Sequence, residues 1–392
     1  MYEFMDKKVP RNVLLLGLVS FFNDIAAEMI YPIVPIFLTT VLGTPIAIVG
    51  LIEGIAEATA SFSKFIFGYI SDYFQKRKPF VVAGYSLGTI SKMLIGLAYS
   101  WPLVLFARFI DRLGKGLRTA ARDSLLLQNT THHNRGFIFG FHRAFDSLGA
   151  VLGPLVALIL LYLLKENMRL MFFLAFIPSI IGVLLLFFFV REKQIGKDGS
   201  TSKIRINLSW KSISPKLKLF LLVSFLFSAG NSSDAFLLLR AKQLGLATTL
   251  VVMVYVLYNV TQTLFSTPAG SLADKIGARK VFAGGLLVFS LVYFFFGLVK
   301  TSHWLWLLFP VYGLYIAATD GVSKAYISQF IQKEESGTFF GLHQTLTAIA
   351  GFLASFIGGL LWTSLGSTAT FWYGSLMAAT AFCVFYITRK VT

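Results

Sequence analysis

Charge is scarce in this chain of 392 residues. Asp, Glu, Lys and Arg together make up 14% of it, against about 25% in an ordinary soluble domain. Acid is scarcer still, with 18 Asp and Glu against 35 Lys and Arg. A soluble domain of this length needs far more polar surface. Cysteine is nearly absent. The single Cys383 sits in a late apolar run, which excludes a disulfide framework within the chain and a cysteine metal cluster, and reads as a small packed residue. There is no Walker phosphate-binding motif, no nucleophile elbow, no zinc-ligand spacing and no appended soluble domain. The expectation is a protein that is not an enzyme and holds neither metal nor cofactor. No cleavable signal peptide pattern is read either: residues 1–11 are polar, and the first apolar run is long and carries acids in its middle.

What is present is apolar. Hydrophobic residues make up 56% of the chain, and there are 40 Phe. Apolar runs of about twenty residues, the length needed to cross a bilayer, recur from end to end. Twelve spans are predicted, at 12–40, 46–70, 79–98, 102–122, 136–162, 170–190, 218–240, 247–269, 281–299, 304–324, 337–361 and 368–388. All are expected to be helices, because an isolated strand cannot satisfy its backbone in lipid.

The net charge of +17 is distributed as membrane topology demands, not as a nucleic-acid surface. Basic residues gather in alternate loops: Lys7, Lys8 and Arg11; Lys76, Arg77 and Lys78; Arg118, Arg122 and Arg135; Lys275, Arg279 and Lys280; Arg389 and Lys390. The opposite loops, 39–47, 99–102 and 363–368, carry no ionisable side chain. The excess of Lys and Arg places both termini in the cytoplasm. The longest polar stretch, rich in Lys, Ser and Gly, follows span six. It predicts an N-terminal six-helix bundle over 1–190, a basic cytoplasmic linker over 191–217 and a C-terminal bundle over 218–392. The linker either lies against anionic headgroups or serves only as a topology signal.

The halves repeat. Gly68-x3-Asp72, followed by Arg77 and Lys78, returns 202 residues on as Gly270-x3-Asp274, followed by Arg279 and Lys280. Gly136-x3-Gly140-x-His142 returns 201 residues on as Gly337-x3-Gly341-x-His343. Duplicated six-helix halves around a midplane site are a recurrent transporter plan.

On these residues, and over all twelve spans, the chain resembles the major facilitator superfamily. The signature loop between helices two and three reads Gly68 to Lys78, and its copy reads Gly270 to Lys280. The resemblance implies that Gly68, Asp72, Arg77, Gly270, Asp274 and Arg279 are gating residues, the aspartates and arginines forming a charge latch. Gly140, Gly149, Gly153 and Pro154 match the first part of the helix-five pattern of antiporters. The closing Gly-Gly pair is absent, with Ala157 and Leu158 in its place, so export by exchange is favoured mildly. Arg108 matches the arginine that opens the helix-four motif. Asp111 stands where the family has Gln and Arg112 where it has Gly, while Gly114 fits. The stretches at 20–35 and 111–123 resemble a broad twelve-helix prokaryotic subgroup, most of it without an assigned substrate. The resemblance therefore implies an all-α membrane protein of the major facilitator fold. It would have twelve transmembrane helices in two pseudo-symmetric bundles, sit in the cytoplasmic membrane of a prokaryote and act as a monomer.

The remaining signal is ionisable residues inside the spans, each costing ~2.5–3.5 kcal/mol at the bilayer centre on insertion scales. Span one has Asp24 and Glu28, four apart and on one face; span two has Glu53 and Glu57. Span four has Arg108, Asp111, Arg112 and Lys115; span five has His142, Arg143 and Asp146. Span seven has Asn231, Asp234 and Arg240, span eight Asn259 and Gln262, span ten Asp320 and Lys324, span eleven His343 and Gln344. On one reading the charges neutralise each other, Arg112 pairing with an acid of helix one and Arg143 with Asp146. Lys115, Arg118, Arg122, Arg240 and Lys324 are expected to snorkel to an interface, and the two histidines to be packed. On the other reading Asp24, Glu28, Glu57 and Asp146 are proton-coupling groups, each poised between an apolar surrounding and a nearby cation. The solute-binding candidates are then Arg112 as anchor, Asp111, Arg108, Arg143, Asn231, Asp234, Asn259 and Gln262, with Tyr and Phe side chains such as Phe21, Phe22, Tyr31, Tyr255, Tyr258, Tyr312 and Tyr315 lining a cavity.

Three classes compete: a secondary transporter driven by a proton gradient, a passive channel or facilitator, and a receptor or scramblase on the same fold. The gating loops favour the first, since a latch is needed only where access alternates. Within transport, export of a small organic compound and proton-coupled uptake of a polar anion, such as a carboxylate-rich siderophore or metabolite, both stand. The partners expected are the lipid bilayer and a small solute, with no nucleic acid.

Overall fold

A computed structural model describes residues 9–74, 76–128, 135–192, 214–330 and 336–388. Lys7, Lys8, Arg389, Lys390 and most of the basic linker lie outside the described residues. Twelve long helices follow one another: α1 Arg11–Ile30, α2 Ile46–Phe74, α3 Lys78–Gly96, α4 Trp101–Leu127, α5 Arg135–Leu163 and α6 Met168–Phe189. The second set is α7 Pro215–Gly230, α8 Thr248–Ile276, α9 Ala278–Leu298, α10 Leu305–Ser328, α11 Ser336–Leu365 and α12 Ser367–Ile387. There is no strand among the described residues. Ten spans are long and apolar enough to cross a membrane; α3 and α4 do not meet that measure, and they carry much of the buried charge described below.

Spans one and seven, expected to be continuous, are each broken. α1 stops at Ile30, turns through Tyr31–Ile33, and resumes as one helical turn, Val34–Ile36, running into a wide-turn segment, Phe37–Val41. Pro32 causes this: it has no N–H for the carbonyl of Glu28, and its ring crowds that carbonyl. α7 stops at Gly230, and the span resumes at Ala235–Gln243. Here the run Asn231–Ser232–Ser233–Asp234 competes for backbone hydrogen bonds. Ser233 N–H leaves the helix pattern and donates to Ser355 Oγ at 3.1 Å. The two breaks lie at matching places in the repeat, about 201 residues apart, in line with repeat-built transporters whose sites form at interrupted helices.

Contacts divide the chain into two compact units: Met1–Ile33 with Phe62–Ser200, and Val34–Ser61 with Thr201–Thr392. In unit one, α3 packs on α4, α1 on α5 and α6, and α3 on α6. In unit two, α9 packs on α10, α7 on α11 and α12, and α9 on α12. These four pairings of unit one recur in unit two six helices on, so the sequence repeat is also a repeat of packing; unit two in addition packs α8 on α10. The first half of α2 belongs to unit two, where Gly54 backs onto Phe352 of α11.

In unit one, Val13, Leu16 and Val19 of α1 bury against Val81 and Tyr85 of α3, Leu125 of α4, Ile138 of α5 and Leu186 of α6. α3 and α4 cross in backbone contact: a Cβ on Gly84 would lie 2.6 Å from the Gly114 carbonyl oxygen, and one on Gly114 would lie 2.5 Å from that of Gly84. Unit two is aromatic. Phe220 meets Phe282, Tyr326 and Phe385 with centroids 5.1, 4.8 and 6.1 Å away. Helix ends that lack intrahelical partners are closed by arginines. Arg169 donates to the Gly96 and Ala98 carbonyls at 3.0 and 2.7 Å. Arg240 donates to those of Phe296 and Val299 at 3.1 and 2.7 Å, and to Gln243 and Ser367. Arg240 is thus buried, not snorkelling, because a planar fork of five donors satisfies the orphan carbonyls at the end of α9.

Candidate functional site

The ionisable residues of the two units form two groups of different character. In unit one, Asp24 and Glu28 share a face of α1, and α5 lies directly on it. A Cβ on Gly149 would sit 2.9 Å from Asp24 Cβ and 2.7 Å from the Phe21 carbonyl oxygen; one on Gly153 would sit 2.8 Å from Glu28 Cβ. The glycine spacing of helix five therefore fixes where the acids of helix one lie. Pro154 is buried one residue later.

Towards the other end of the same interface, Arg122 of α4 donates to Ser20 Oγ of α1 at 2.8 Å and to Asp123 Oδ1 at 3.2 Å, with Asp146 Oδ2 of α5 at 4.0 Å. Ser20 Oγ is also 3.1 Å from the Tyr85 hydroxyl of α3. His142 Nδ1 lies 3.6 Å from Asp146 Oδ2. Four helices are stitched by one polar network. The partner of Asp146 is therefore His142 and Arg122; Arg143 lies on the exposed side of α5. Arg118 and Arg122 do not snorkel. Arg118 is buried with its guanidinium 4.6 Å over the Tyr85 ring, a cation–π seat that a short polar helix crossing can supply in place of headgroups. Lys115 and Lys324 are exposed, and Lys324 pairs with Asp320 at 3.8 Å.

The sequence reading does not single out Lys92, and among the described residues it is the most deeply buried cation, 1% exposed. Its Nζ donates to the Gly88 carbonyl at 2.8 Å. It lies within electrostatic reach of Asp111, Arg118, Asp24 and Arg112. Asp111 in turn is reached by Lys92, Arg112, Arg118 and Arg108. Arg108 and Arg112 are both buried, the former 5.9 Å over the Tyr31 ring. The available signal was the rule already applied to the other spans: an ionisable residue inside an apolar run needs a partner or a role.

Unit two has acids and tyrosines. Asp234, in the break of span seven, accepts from the Tyr258 hydroxyl at 2.8 Å and the Tyr312 hydroxyl at 2.6 Å. Asn231 Nδ2 donates to the Tyr315 hydroxyl at 3.1 Å. Glu53, buried, accepts from Ser233 Oγ at 3.4 Å. Glu53 and the exposed Glu57 both lie within electrostatic reach of Asp234. The rings stack edge to face, Tyr255 on Tyr258 at 5.2 Å and Tyr258 on Tyr312 at 5.5 Å. Asn259 Nδ2 is turned back to its own helix, on the Tyr255 carbonyl at 2.9 Å, and Gln262 is half-buried one turn on. His343, repeat mate of His142, stacks on Phe220 at 5.7 Å. The mates have diverged, one into an ionic network and one into an aromatic core.

The sequence pattern of the Major Facilitator Superfamily matches residues 16–256 and 219–392. This chain belongs to the major facilitator superfamily. An MFS-type transporter of Methanocaldococcus jannaschii is 36% identical over 381 residues, 95% of this chain and 94% of the relative. The multidrug resistance protein MdtG of Salmonella schwarzengrund is 24% identical over 377 residues, 92% of this chain and 91% of the other. Among solved structures, a mutant of the nucleoside transporter NupG matches with a TM-score of 0.81 at 13% identity, covering 97% of this chain and 100% of that one. A POT family transporter in complex with 5-aminolevulinic acid matches with a TM-score of 0.77 at 14% identity, covering 97% and 96%. The fold is that of the superfamily, and the protein is a multi-pass membrane transporter, not an enzyme.

In this transporter the signature loops are held by groups outside the repeat. The backbone N–H groups of Arg77 and Lys78 donate to the two carboxylate oxygens of Glu192, at 2.6 and 3.1 Å, an anion at a helix N-terminus. In the second loop Arg279 donates to the Phe385 carbonyl at 2.7 Å and lies 4.9 Å over its ring. Asp274 is exposed, and a Cβ on Gly270 would meet nothing within 4 Å. Gly68, Asp72 and Gly140 lie on α2 and α5, but their side-chain environments are outside the described residues.

Proposed function

We propose that this transporter moves a small organic solute by alternating access, coupled to protons, with a mild lean towards export by exchange. The observation that carries the reading is the pair of matched helix breaks, each beside acid side chains: the half-buried Glu28 before the break of span one, the half-buried Asp234 and the buried Glu53 at that of span seven. In our reading Asp24, Glu28, Glu57 and Asp146 load and release the proton. Arg112, Asp111, Arg108, Arg143, Asn231, Asp234, Asn259 and Gln262 are the candidate solute contacts, and Gly68, Asp72, Arg77, Gly270, Asp274 and Arg279 the gate. Support for exchange comes from Gly149 and Gly153, which seat helix five on the two acids of helix one, and from the likeness to a protein named for multidrug resistance. We further propose a monomer in the prokaryotic cytoplasmic membrane with both termini inside, working as bundles 1–190 and 218–392 joined by 191–217, driven by the proton gradient without a cofactor.

A second reading, uptake of an anionic solute, is favoured by the four cations that reach Asp111. Addition of solute to protein-loaded liposomes separates these readings from a passive channel. A coupled transporter changes the external pH as solute crosses, upward for symport with inward solute and downward for exchange. A facilitator passes the solute with no pH change.

A further inference from the structure

We propose that the polar cluster beside Gly88 is built around an internal water, which accepts from Arg118 Nη1 and donates to Asn23 Oδ1 and Asp111 Oδ1. The site joins α1, α3 and α4 inside unit one, and it is independent of which solute the transporter carries.

Gly88 lies near the middle of α3. The position a Cβ would take there lies 3.2 Å from Asp111 Oδ1, 3.3 Å from Arg118 Nη1 and 3.9 Å from Asn23 Oδ1. Polar atoms of α1 and α4 thus converge on a face of α3 where no side chain stands. Asn23 is 2% exposed and Arg118 8%, and among the described residues neither Asn23 Oδ1 nor Arg118 Nη1 has a hydrogen-bond partner. Such atoms are uncommon in folded proteins and call for an occupant. One is an acceptor and the other a donor. An anion satisfies only the donor, and a cation only the acceptor. Water both donates and accepts, so one molecule answers both, and buried waters are held by two to four polar groups of this kind.

The charges also favour a neutral occupant. Lys92 and Arg118 each lie within electrostatic reach of Asp111 and of Asp24, so two cations face two acids. Arg108 and Arg112, which also reach Asp111, have partners of their own. Among the described residues, however, Lys92 and Arg118 form no direct ion pair with either acid. Asp111 accepts a long bond from Ser91 Oγ at 3.5 Å, and Lys92 donates to the Gly88 carbonyl at 2.8 Å. Buried ions that face each other without touching are poorly repaid for leaving water. A bridging water supplies the hydrogen bonds that a direct pair would make. Arg118 is fixed by its seat over the Tyr85 ring, 4.6 Å away, so the donor is already in place.

The test compares thermal unfolding of the purified full chain in detergent for wild type, Gly88→Ala and Gly88→Ser. The alanine methyl displaces the water and returns no hydrogen bond, so its unfolding midpoint is expected to fall by several degrees. The serine hydroxyl both donates and accepts, so Gly88→Ser is expected to unfold above Gly88→Ala although its side chain is larger. Crowding alone puts serine level with alanine or below it, and that order overturns the proposal. A Gly88→Ala midpoint at or above that of the wild type overturns it too. Where either variant gives no folded protein, the wild type decides, in an experimental structure fine enough to show ordered waters. Density is expected within about 2.7–3.2 Å of both Arg118 Nη1 and Asn23 Oδ1. Ordered side chains with no such density overturn the proposal.

Discussion

Asp234 shows how a carboxylate is kept in an apolar helix pair by neutral donors. Two phenols, from Tyr258 and Tyr312, donate to its two oxygens. Hydrogen bonds to a charged group contribute about 1.5–3 kcal/mol each. Tyr312→Phe, which removes the 2.6 Å bond and little volume, is expected to lower the unfolding midpoint of the purified protein. The Tyr258→Phe, Tyr312→Phe double variant should lose more than the sum, because the last donor leaves the carboxylate unsatisfied. Additive or negligible losses would mean that the phenols do not hold the acid. At this scale the sequence was partly legible. Asp24, Glu28, Asp111, Asp146 and Asp234 are visible as acids inside spans. His142, four residues before Asp146, is visible as its partner by helical spacing; the others are not, because Tyr258, Tyr312 and Lys92 come from other helices, at sequence separations that no local pattern records. Arg240 and Arg118 read as interface residues because they fall near span ends, yet carbonyls and a tyrosine ring inside the protein satisfy them instead.

Helix pairs are set by small residues at particular faces. A Cβ on Gly153 would press on Glu28 Cβ and on the Ile25 carbonyl, both at 2.8 Å, whereas one on Gly270 meets nothing within 4 Å. Gly153→Ala is therefore expected to cost about 1–3 kcal/mol through overpacking and to impair transport by moving α1. Gly270→Ala should lie within about 0.5 kcal/mol of wild type. Unfolding midpoints of the two variants, measured side by side, check the contrast; equal effects would mean that α5 and α1 yield without cost. The helices themselves were legible, since apolar runs of bilayer length leave one backbone solution. The breaks in spans one and seven were not foreseen, although their causes are plain in hindsight: Pro32 in one and four consecutive polar residues in the other. The apolar count dominates such a window and hides one missing N–H.

The whole molecule is a duplication whose packing has been kept while its chemistry has split. Four principal helix pairings recur in both units. Yet unit one brings cations and acids together around Arg122 and Asp146, and unit two holds Asp234 with tyrosines. The 201–202 residue repeat made the duplication readable from sequence alone, and the divergence is invisible to it because it lies in residues outside the repeated motifs. The central claim is that the acids of helix one, seated by helix five, couple solute movement to protons. The most direct measurement is gradient-driven transport in liposomes carrying wild type, Asp24→Asn or Glu28→Gln, using whichever solute most raises the unfolding midpoint in a screen across solute classes. The account predicts solute accumulation with a linked pH change for wild type, and loss of both in folded Asp24→Asn and Glu28→Gln. Gradient-driven transport at wild-type level in both variants would contradict it.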